Sequence, residues 1–355
     1  MGSKEDNKIF VPSVAIAPGE TIRENMRFLG MKQTELATRL NITQKHLSNI
    51  MQGNAPITYE TALKLETVLG ASAQFWMNLE SNYQLTQARL KAQEEFGEDL
   101  EILKEIPYKI MSENGWIEET RDRKERVRHC RNFFGVTSLS AVKSSYDVAF
   151  RKHKALKNIS DYGIYSWLRK AEIEGLRIDV KPFDKRELKS LIPVFRKLTL
   201  EEPQDFYPKL VKLCAECGVA LVVVKYLPNT SVCGATMRRS DKTILALSNK
   251  GRKADIFWLT FFHELAHILQ HQGREFHISY SEENEADEEA KNYLIAKKDY
   301  ETFIEKHEYT ARSEILSYSK KLGIAPSILV GRLQHDGYLK PQHYNDLRPS
   351  FEIDF

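Results

Sequence analysis

Cysteine is scarce in this chain of 355 residues, which contains four: Cys130, Cys214, Cys217 and Cys233. Four cysteines are too few for a disulfide scaffold. Long apolar runs are missing, and the first residues lack the apolar stretch of a signal peptide. We therefore expect a soluble cytoplasmic protein with reduced thiols and no membrane partner.

An excess of charge of one sign is also missing, because 52 Lys and Arg against 49 Asp and Glu leave a net charge of +3. Any binding of nucleic acid must then come from a local face and not from the chain as a whole. Hydrophobic residues make up 42% of the chain, which is enough for packed cores. The length allows two or three domains.

Helical periodicity dominates and strand-like runs are few, so we predict a mainly α-helical protein with a small β-sheet, of the α+β class. The predicted order is a flexible arm, a five-helix N-terminal domain, a helical middle region or linker, a C-terminal domain with the sheet, and a tail. These parts are assigned to residues 1–17, 18–98, 99–198, 199–345 and 346–355.

Three runs have strand character, and they are Val219–Val224, Val232–Met237 and Thr243–Leu247. A polar turn between the second and third predicts a hairpin. We expect Val232–Met237 to be an edge strand, to which a peptide substrate could add as a further strand. His277 and Tyr280 are expected in a loop between two helices, either as surface residues or as donors to an oxyanion.

The string K-Q-T-E-L-A-T-R-L-N-I-T-Q-K-H-L-S-N-I-M-Q-G (32–53) has the pattern of two short helices joined by a tight turn. Asn41 suits the turn, and Thr43 can cap the second helix. The apolar positions of this string supply a core, and they are Leu36, Leu40, Ile42, Leu47 and Ile50. A generic helical bundle would have the same apolar spacing, so the polar positions decide between the two interpretations.

Those polar positions favour a DNA-binding helix-turn-helix. The outer face of the second helix presents residue types that read base edges in the major groove, and they are Gln44, Lys45, Ser48 and Asn49. Gln33, Lys32 and Arg39 can hold phosphates. We predict binding of a palindromic double-stranded operator by a homodimer, because two-fold sites are the common solution for this motif.

The string F-F-H-E-L-A-H-I-L-Q-H (261–271) contains the pattern H-E-x-x-H. On a helix, His263 and His267 lie on one face about one turn apart, where both imidazoles can share one ion. Glu264 can act as general base toward a water activated by the metal. The string therefore predicts a Zn²⁺ site with Glu264 as the catalytic residue. The alternative is a charged helix whose histidines only bond their neighbours.

A catalytic zinc needs a third protein ligand, and the candidates lie in the acidic string S-E-E-N-E-A-D-E-E-A (281–290). On a helix, Glu283 could bind the metal while Asp287, on the same face, accepts a hydrogen bond from a ligand imidazole. Glu282 is the nearer rival, and Glu285 points away from the pair. Without a metal, the string would be an acidic and solvated helix start.

Both patterns together carry a resemblance to two families. Residues from about 12 to 95 resemble the XRE-type helix-turn-helix of the HigA antitoxin class, including A-P-G-E-T-I-R-E and G-N-A-P-I-T. Residues from about 200 to 340 resemble the ImmA/IrrE metallopeptidase family. The matching strings are F-H-E-L-A-H-I-L-Q-H, E-N-E-A-D-E-E-A and G-I-A-P-S-I-L-V-G-R-L-Q-H-D-G.

The second resemblance implies a gluzincin-like peptidase fold, with His263, His267 and Glu283 as zinc ligands and Glu264 as general base. It also implies control of phage, stress or toxin–antitoxin genes, often by cleavage of a repressor protein.

The resulting hypothesis is a DNA-binding transcriptional regulator with a zinc-dependent endopeptidase domain, whose protein substrate or partner is a repressor or a toxin. A second hypothesis is an antitoxin or repressor whose peptidase-like domain senses or binds a partner without cleaving it. A third is a purely structural interaction module.

Overall fold

A computed structural model describes residues 14–92, 96–144, 160–239, 241–249, 253–270, 276–280 and 285–350. The chain divides into two compact units, Met1–Gly97 and Glu98–Phe355. The predicted class, mainly α-helical with a small β-sheet, is confirmed. No helix among the described residues is both long and apolar enough to cross a membrane.

The first unit contains five helices: α1 (Gly19–Phe28), α2 (Gln33–Arg39), α3 (Gln44–Met51), α4 (Tyr59–Leu69) and α5 (Ala73–Ala92). Thr43 and Thr58 cap α3 and α4, because each hydroxyl accepts a hydrogen bond from a backbone N–H in the first turn. One face of each of the first four helices joins a common core with Trp76 of α5, which is fully buried. This five-helix arrangement matches the prediction.

The second unit begins within a run of short helices and ends in a helical layer around a sheet. Its first helices are α6 (Gly97–Ile102), α7 (Tyr108–Glu113), α8 (Arg123–Phe134), α9 (Asp161–Arg177), α10 (Lys185–Ser190), α11 (Ile192–Leu198) and α12 (Pro203–Glu216). The later ones are α13 (Ala254–Gln270), α14 (Glu285–Leu294), α15 (Lys297–Lys306), α16 (Arg312–Leu322) and α17 (Pro326–His335), followed by a 3-10 turn at Asn345–Leu347.

The described strands of the second unit form a four-stranded sheet in the order β1-β3-β2-β4. The strands are β1 (Val219–Val224), β2 (Val232–Arg239), β3 (Lys242–Ser248) and β4 (Phe276–Tyr280). β3 runs parallel to β1 and antiparallel to β2, and β4 runs antiparallel to β2. The three predicted strands are thus present, and β2 and β3 form the predicted hairpin.

Two expectations about the sheet are wrong. Val232–Met237 is not an edge strand, because β2 is hydrogen-bonded to β3 on one side and to β4 on the other. His277 and Tyr280 do not lie in a loop but in β4, which occupies this edge of the sheet. Ile278 is buried, and the segment around it alternates apolar and polar residues, which favours a strand paired with β2 over a loop.

The two faces of the sheet are covered by different helices, because successive residues of a strand point to opposite sides. Leu221, Leu245 and Leu247 lie on the face that shares a core with the apolar residues of α13. Ile244 lies on the other face, where a Cβ atom placed at Gly175 of α9 would be 2.8 Å from its Cγ1. Part of the predicted middle region, namely α9, therefore packs directly on the sheet.

Candidate metal centre and nucleic-acid interface

The turn between α2 and α3 has the geometry of a helix-turn-helix. Asn41 adopts a positive φ of 51°, a conformation that asparagine tolerates better than most residues. The backbone N–H of His46 donates to the hydroxyl of Thr43 at 3.1 Å. Both expectations for this turn are confirmed, and together they fix the direction in which α3 leaves α2.

The predicted base-reading residues all lie in α3 and leave its apolar face free for the core. Leu47 and Ile50 are each 1% exposed. Gln44 and Lys45 are exposed at the start of the helix, and Ser48 and Asn49 are half-buried one turn later. The first turns of α3 therefore offer amide, ammonium and hydroxyl groups to solvent, as major-groove recognition requires.

The predicted phosphate-binding residues lie in or next to α2. Lys32 is exposed, and Gln33 is half-buried. Arg39 donates to Glu35 at 2.7 Å in an exposed pair along the helix. Because exposed pairs of this kind contribute little free energy, Arg39 can exchange this carboxylate for a phosphate at small cost.

The second constellation lies in the middle of α13, which is buried along most of its length. His263 and His267 are 5% and 7% exposed, and their ring centroids are 4.6 Å apart. The Nε2 atoms of the two rings lie 3.0 Å from each other. The structure thus brings the two predicted imidazole ligands together and turns the same nitrogen of each ring toward the other.

Glu264 follows His263 and is completely buried. Its side chain runs along β2 at Gly234, where a Cβ atom would lie 2.9 Å from both Cγ and Cδ of the glutamate. Ordinary van der Waals contacts to a Cβ atom begin near 3.4 Å, so no other residue type fits at position 234 without moving Glu264. A glycine in the sheet therefore makes room for the predicted general base.

Gly234 is a site residue that we did not identify from the sequence. The signal was present, since an isolated glycine inside a strand pattern often marks a close approach of another group. The sequence, however, did not indicate which group approaches, because Gly234 and Glu264 are thirty positions apart and meet only when α13 lies on the sheet.

The predicted third ligand, Glu283, lies outside the described residues. α14 begins two residues later at Glu285 and packs against α13. Asp287 lies in the first turn of α14, and its side chain is also outside what is described. Over the described residues alone, no group of three or more His, Cys, Asp or Glu side chains is placed to hold a metal ion. Glu283 and Asp287 therefore remain predictions.

The two imidazoles and the donor chemistry fit a zinc ion. Zn–N bonds of about 2.0–2.1 Å at tetrahedral angles separate two ligand nitrogens by roughly 3.3 Å, which is close to the observed 3.0 Å. The site also lies among buried aromatic and aliphatic residues of the second unit. Neutral imidazole is a ligand that zinc prefers in proteins.

The three buried cysteines do not compete for this role. Cys130, Cys214 and Cys217 are buried free thiols, and Cys233 is half-buried. Burial raises the pKa of Cys130 to about 12 and that of Cys217 to about 11. Because the thiolate is the form that binds metals and attacks electrophiles, the three buried thiols are inert near neutral pH.

Comparison with known proteins concerns the first unit. A family profile described as Helix-turn-helix matches residues 22–76. The chain is 35% identical over 71 residues to the uncharacterized HTH-type transcriptional regulator YddM of Escherichia coli strain K12, which is 20% of this chain and 76% of that protein. It is also 35% identical over 75 residues to virulence-associated protein I of Dichelobacter nodosus, covering 21% of this chain and 69% of that protein.

A solved structure is similar over a comparable length. An addiction module antidote protein of a HigA family from Coxiella burnetii shares 33% sequence identity, with 24% of this chain and 92% of that chain covered and a TM-score of 0.22.

Proposed function

The chain belongs, through its N-terminal unit, to the helix-turn-helix family of transcriptional regulators, and from this premise we propose that it is a regulator with a zinc-dependent endopeptidase in its second unit. The observation that carries the second half is the pair of buried Nε2 atoms, 3.0 Å apart, beside a fully buried glutamate. The proposed setting is the control of phage, stress or toxin–antitoxin genes, with a repressor or a toxin as protein partner.

The DNA-binding half uses α3 as the recognition helix. Its exposed start carries Gln44 and Lys45, and the cap at Thr43 holds the first turn in shape. We propose that a homodimer places two copies of α3 in successive major grooves of a palindromic operator. The length of α5, which spans 20 residues, makes it our candidate for the dimer surface.

The peptidase half places its groups on a rigid element. His263 and His267 would hold the zinc, with Glu283 as the proposed third ligand and Asp287 as the proposed hydrogen-bond partner of a ligand imidazole. When bound, zinc supplies a Lewis acid that polarises a peptide carbonyl and lowers the pKa of a water molecule.

Glu264 is the residue proposed to move the proton. Its carboxylate can accept a proton from the attacking water and then deliver it to the leaving amine nitrogen. The packing of Glu264 against Gly234 restricts the carboxylate to one region of the site. A general base held in this way needs no reorganisation before the reaction.

The metal is tested first. Purified full-length protein is expected to contain about one zinc per chain by elemental analysis. His263→Ala and His267→Ala should each lose the metal, whereas Glu264→Gln should keep it. His343→Ala is the matched control, because His343 is exposed and in the same unit. Zinc-free wild-type protein after purification without chelators would refute the metal centre.

Cleavage is tested second, in cells that carry either the wild type or Glu264→Gln. New protein N-termini are expected in the wild-type cells only, since the variant keeps the metal and the fold but lacks the base. The same new N-termini in both strains would refute a role of Glu264 in catalysis. If neither strain shows any while zinc is bound, the second unit is a sensing or binding module.

The DNA-binding half is tested with the full chain and operators selected from random duplexes. Affinity should fall by roughly 10³-fold or more between 50 and 200 mM salt, because a dimer releases counterions from several phosphates. Gln44→Ala should relax the sequence preference at one base pair per half-site, at a cost of about 1–3 kcal/mol. Thr67→Ala, at an exposed position of α4 outside the predicted DNA-contacting residues, is the control. Salt-independent binding would contradict the proposal.

A further inference from the structure

A cavity of about 280 Å³ lies at the N-terminal end of α13. Its walls are the first turns of α13, the last turn of α14, α17 and the segment that follows α17. None of the residues that line it belongs to the proposed metal centre. Pockets that bind small molecules are mostly apolar concavities of about 300–1,000 Å³, and this cavity is just below that range, so it suits a small ligand.

Most of the surface that lines the cavity is apolar. Leu294, Ile295 and Ile328 are nearly fully buried in its floor, and Leu259 is half-buried. Ile256 also lines the cavity and is 37% exposed, so we take it to mark the opening to solvent. The cavity can therefore take the apolar body of a ligand and admit it from one side.

Charged side chains also line the cavity, and most of them are cationic. Lys291 has a side chain only 10% exposed and donates to Glu288 at 3.0 Å, a carboxylate that is itself 63% exposed. Arg348 is held by Asp255, to whose Oδ2 its Nε and Nη2 donate at 3.0 and 2.6 Å. Arg332 donates through Nε to Asp336 at 2.8 Å, and its guanidinium stacks over a tyrosine ring at 4.4 Å.

Among the described residues, one cationic donor in this lining has no acceptor. Nη1 of Arg332 is buried and, across the described residues, has no hydrogen-bond partner. The same holds for Oδ1 of Asp255, a buried acceptor. Buried polar atoms are nearly always paired, and an unpaired one in a native structure calls for a missing partner. Because Asp336 and the ring hold the guanidinium in place, an acceptor that reaches Nη1 would pair with it at little entropic cost.

We propose that this cavity is a binding site for a small molecule with an apolar body and an anionic headgroup, either a carboxylate or a phosphate. The headgroup accepts hydrogen bonds from Nη1 of Arg332 and from Lys291, and the apolar body lies against the aliphatic floor. Oδ1 of Asp255 remains available for a hydroxyl or amide N–H of the ligand. The proposal does not depend on the peptidase function, since no metal ligand takes part.

The test uses the full-length protein and four probes of equal chain length: octanoate, octyl phosphate, octan-1-ol and octylamine. Isothermal titration calorimetry is expected to show one site per chain for at least one of the two anions, with octanol at least tenfold weaker, as the loss of a charge-assisted hydrogen bond predicts. The comparison of octanoate with octyl phosphate decides between the two headgroups. Octylamine binding as tightly as both anions would overturn the proposal.

Three variants locate the site. Arg332→Met should weaken binding of the preferred anion by about tenfold or more and leave octanol unchanged. Should that variant fail to fold, Lys291→Met carries the same test, because its loss removes only a pair with an exposed glutamate. Ile256→Trp, at the opening, should abolish binding of every probe. Arg177→Met is the control, at an arginine 70% exposed that does not line the cavity.

Several results of these titrations would overturn the proposed anion site. Anion binding that survives Ile256→Trp would place the probe elsewhere and overturn the proposal. Equal binding of anion and octanol, or absence of anion binding altogether, would also overturn it. Loss of zinc or of cleavage in the earlier experiments has no effect on these titrations, so this site and the proposed peptidase can fail independently.

Discussion

Replacing Gly234 by alanine is expected to damage the candidate active site through a single added methyl group. The new Cβ would lie 2.9 Å from Cγ and Cδ of Glu264, about half an ångström closer than ordinary contact allows. Gly234 belongs to a central strand paired on both sides, so the backbone has little freedom to retreat. The glutamate must move instead, although it is fully buried.

Overpacking of this size costs about 1–3 kcal/mol of the free energy of unfolding. A displacement of a catalytic group by about 1 Å can reduce the rate by roughly 10²-fold. We therefore expect Gly234→Ala to keep its zinc, to unfold at lower urea concentration and to lose about two orders of magnitude of the proposed peptidase activity. Tryptophan fluorescence follows the unfolding.

Gly175→Ala is the matched control, since a Cβ there would lie 2.6 to 2.9 Å from three side-chain atoms of Ile244 on the opposite face of the sheet. It should cost similar stability and leave the activity intact. Glu264→Asp in the Gly234→Ala background should restore stability, because the shorter side chain leaves room for the methyl group. Additive effects of the two changes on stability, or full activity of Gly234→Ala, would refute the reasoning.

Three further changes test other parts of the structure. Arg348→Met should lower the free energy of unfolding by about 3–5 kcal/mol in urea titrations, because it leaves the buried carboxylate of Asp255 without its cation. An unchanged urea midpoint would contradict the buried ion pair. Burial would raise the pKa of Glu172, but hydrogen bonds led by Arg239 outweigh it and hold the pKa below the usual 4.5. The resulting stabilisation is present above that pH and is lost as the pH falls through the lowered value, so Glu172→Gln should flatten the acid limb of stability measured against pH. Thr43→Ala should destabilise the first unit by about 1 kcal/mol in thermal unfolding, whereas no change would mean that the cap is not needed.

The first unit was predictable almost residue by residue because its signals are local. The cap at Thr43 and the positive φ of Asn41 follow from the chemistry of single side chains near the turn they serve. The same holds for the spacing of His263 and His267, which a helix converts directly into proximity. The helical period and the capping residues were sufficient to predict contacts between residues that lie within one or two helical turns of each other.

Prediction failed where a contact joins distant parts of the chain. β4 is short, and nothing in its five residues reveals that β2 would accept it as a neighbour. The approach of α9 to Ile244 and of Glu264 to Gly234 depends on how helices settle on the two faces of the sheet. Such pairings are determined by tertiary packing, which outweighs the secondary-structure preference of each segment. Contacts of this kind do not appear as a periodic pattern in the sequence.

α13 shows a conflict between stability and function that can be measured. The helix is almost entirely buried, yet it carries His263, Glu264 and His267 in its middle. Buried polar groups destabilise a fold relative to apolar residues of similar size, and proteins tolerate such conflicts at functional sites. Replacing all three by leucine should therefore raise the free energy of unfolding of the metal-free protein by about 1–4 kcal/mol.

Urea titrations in the presence of a chelator compare this triple variant with the wild type. Added zinc should then raise the midpoint of the wild type alone, because only it binds the metal in the folded state. A triple variant less stable than the metal-free wild type would mean that the three polar groups stabilise the helix by themselves. In that case the stability of the helix alone would explain why the three polar residues are present, and the proposed zinc site would lose its physical basis.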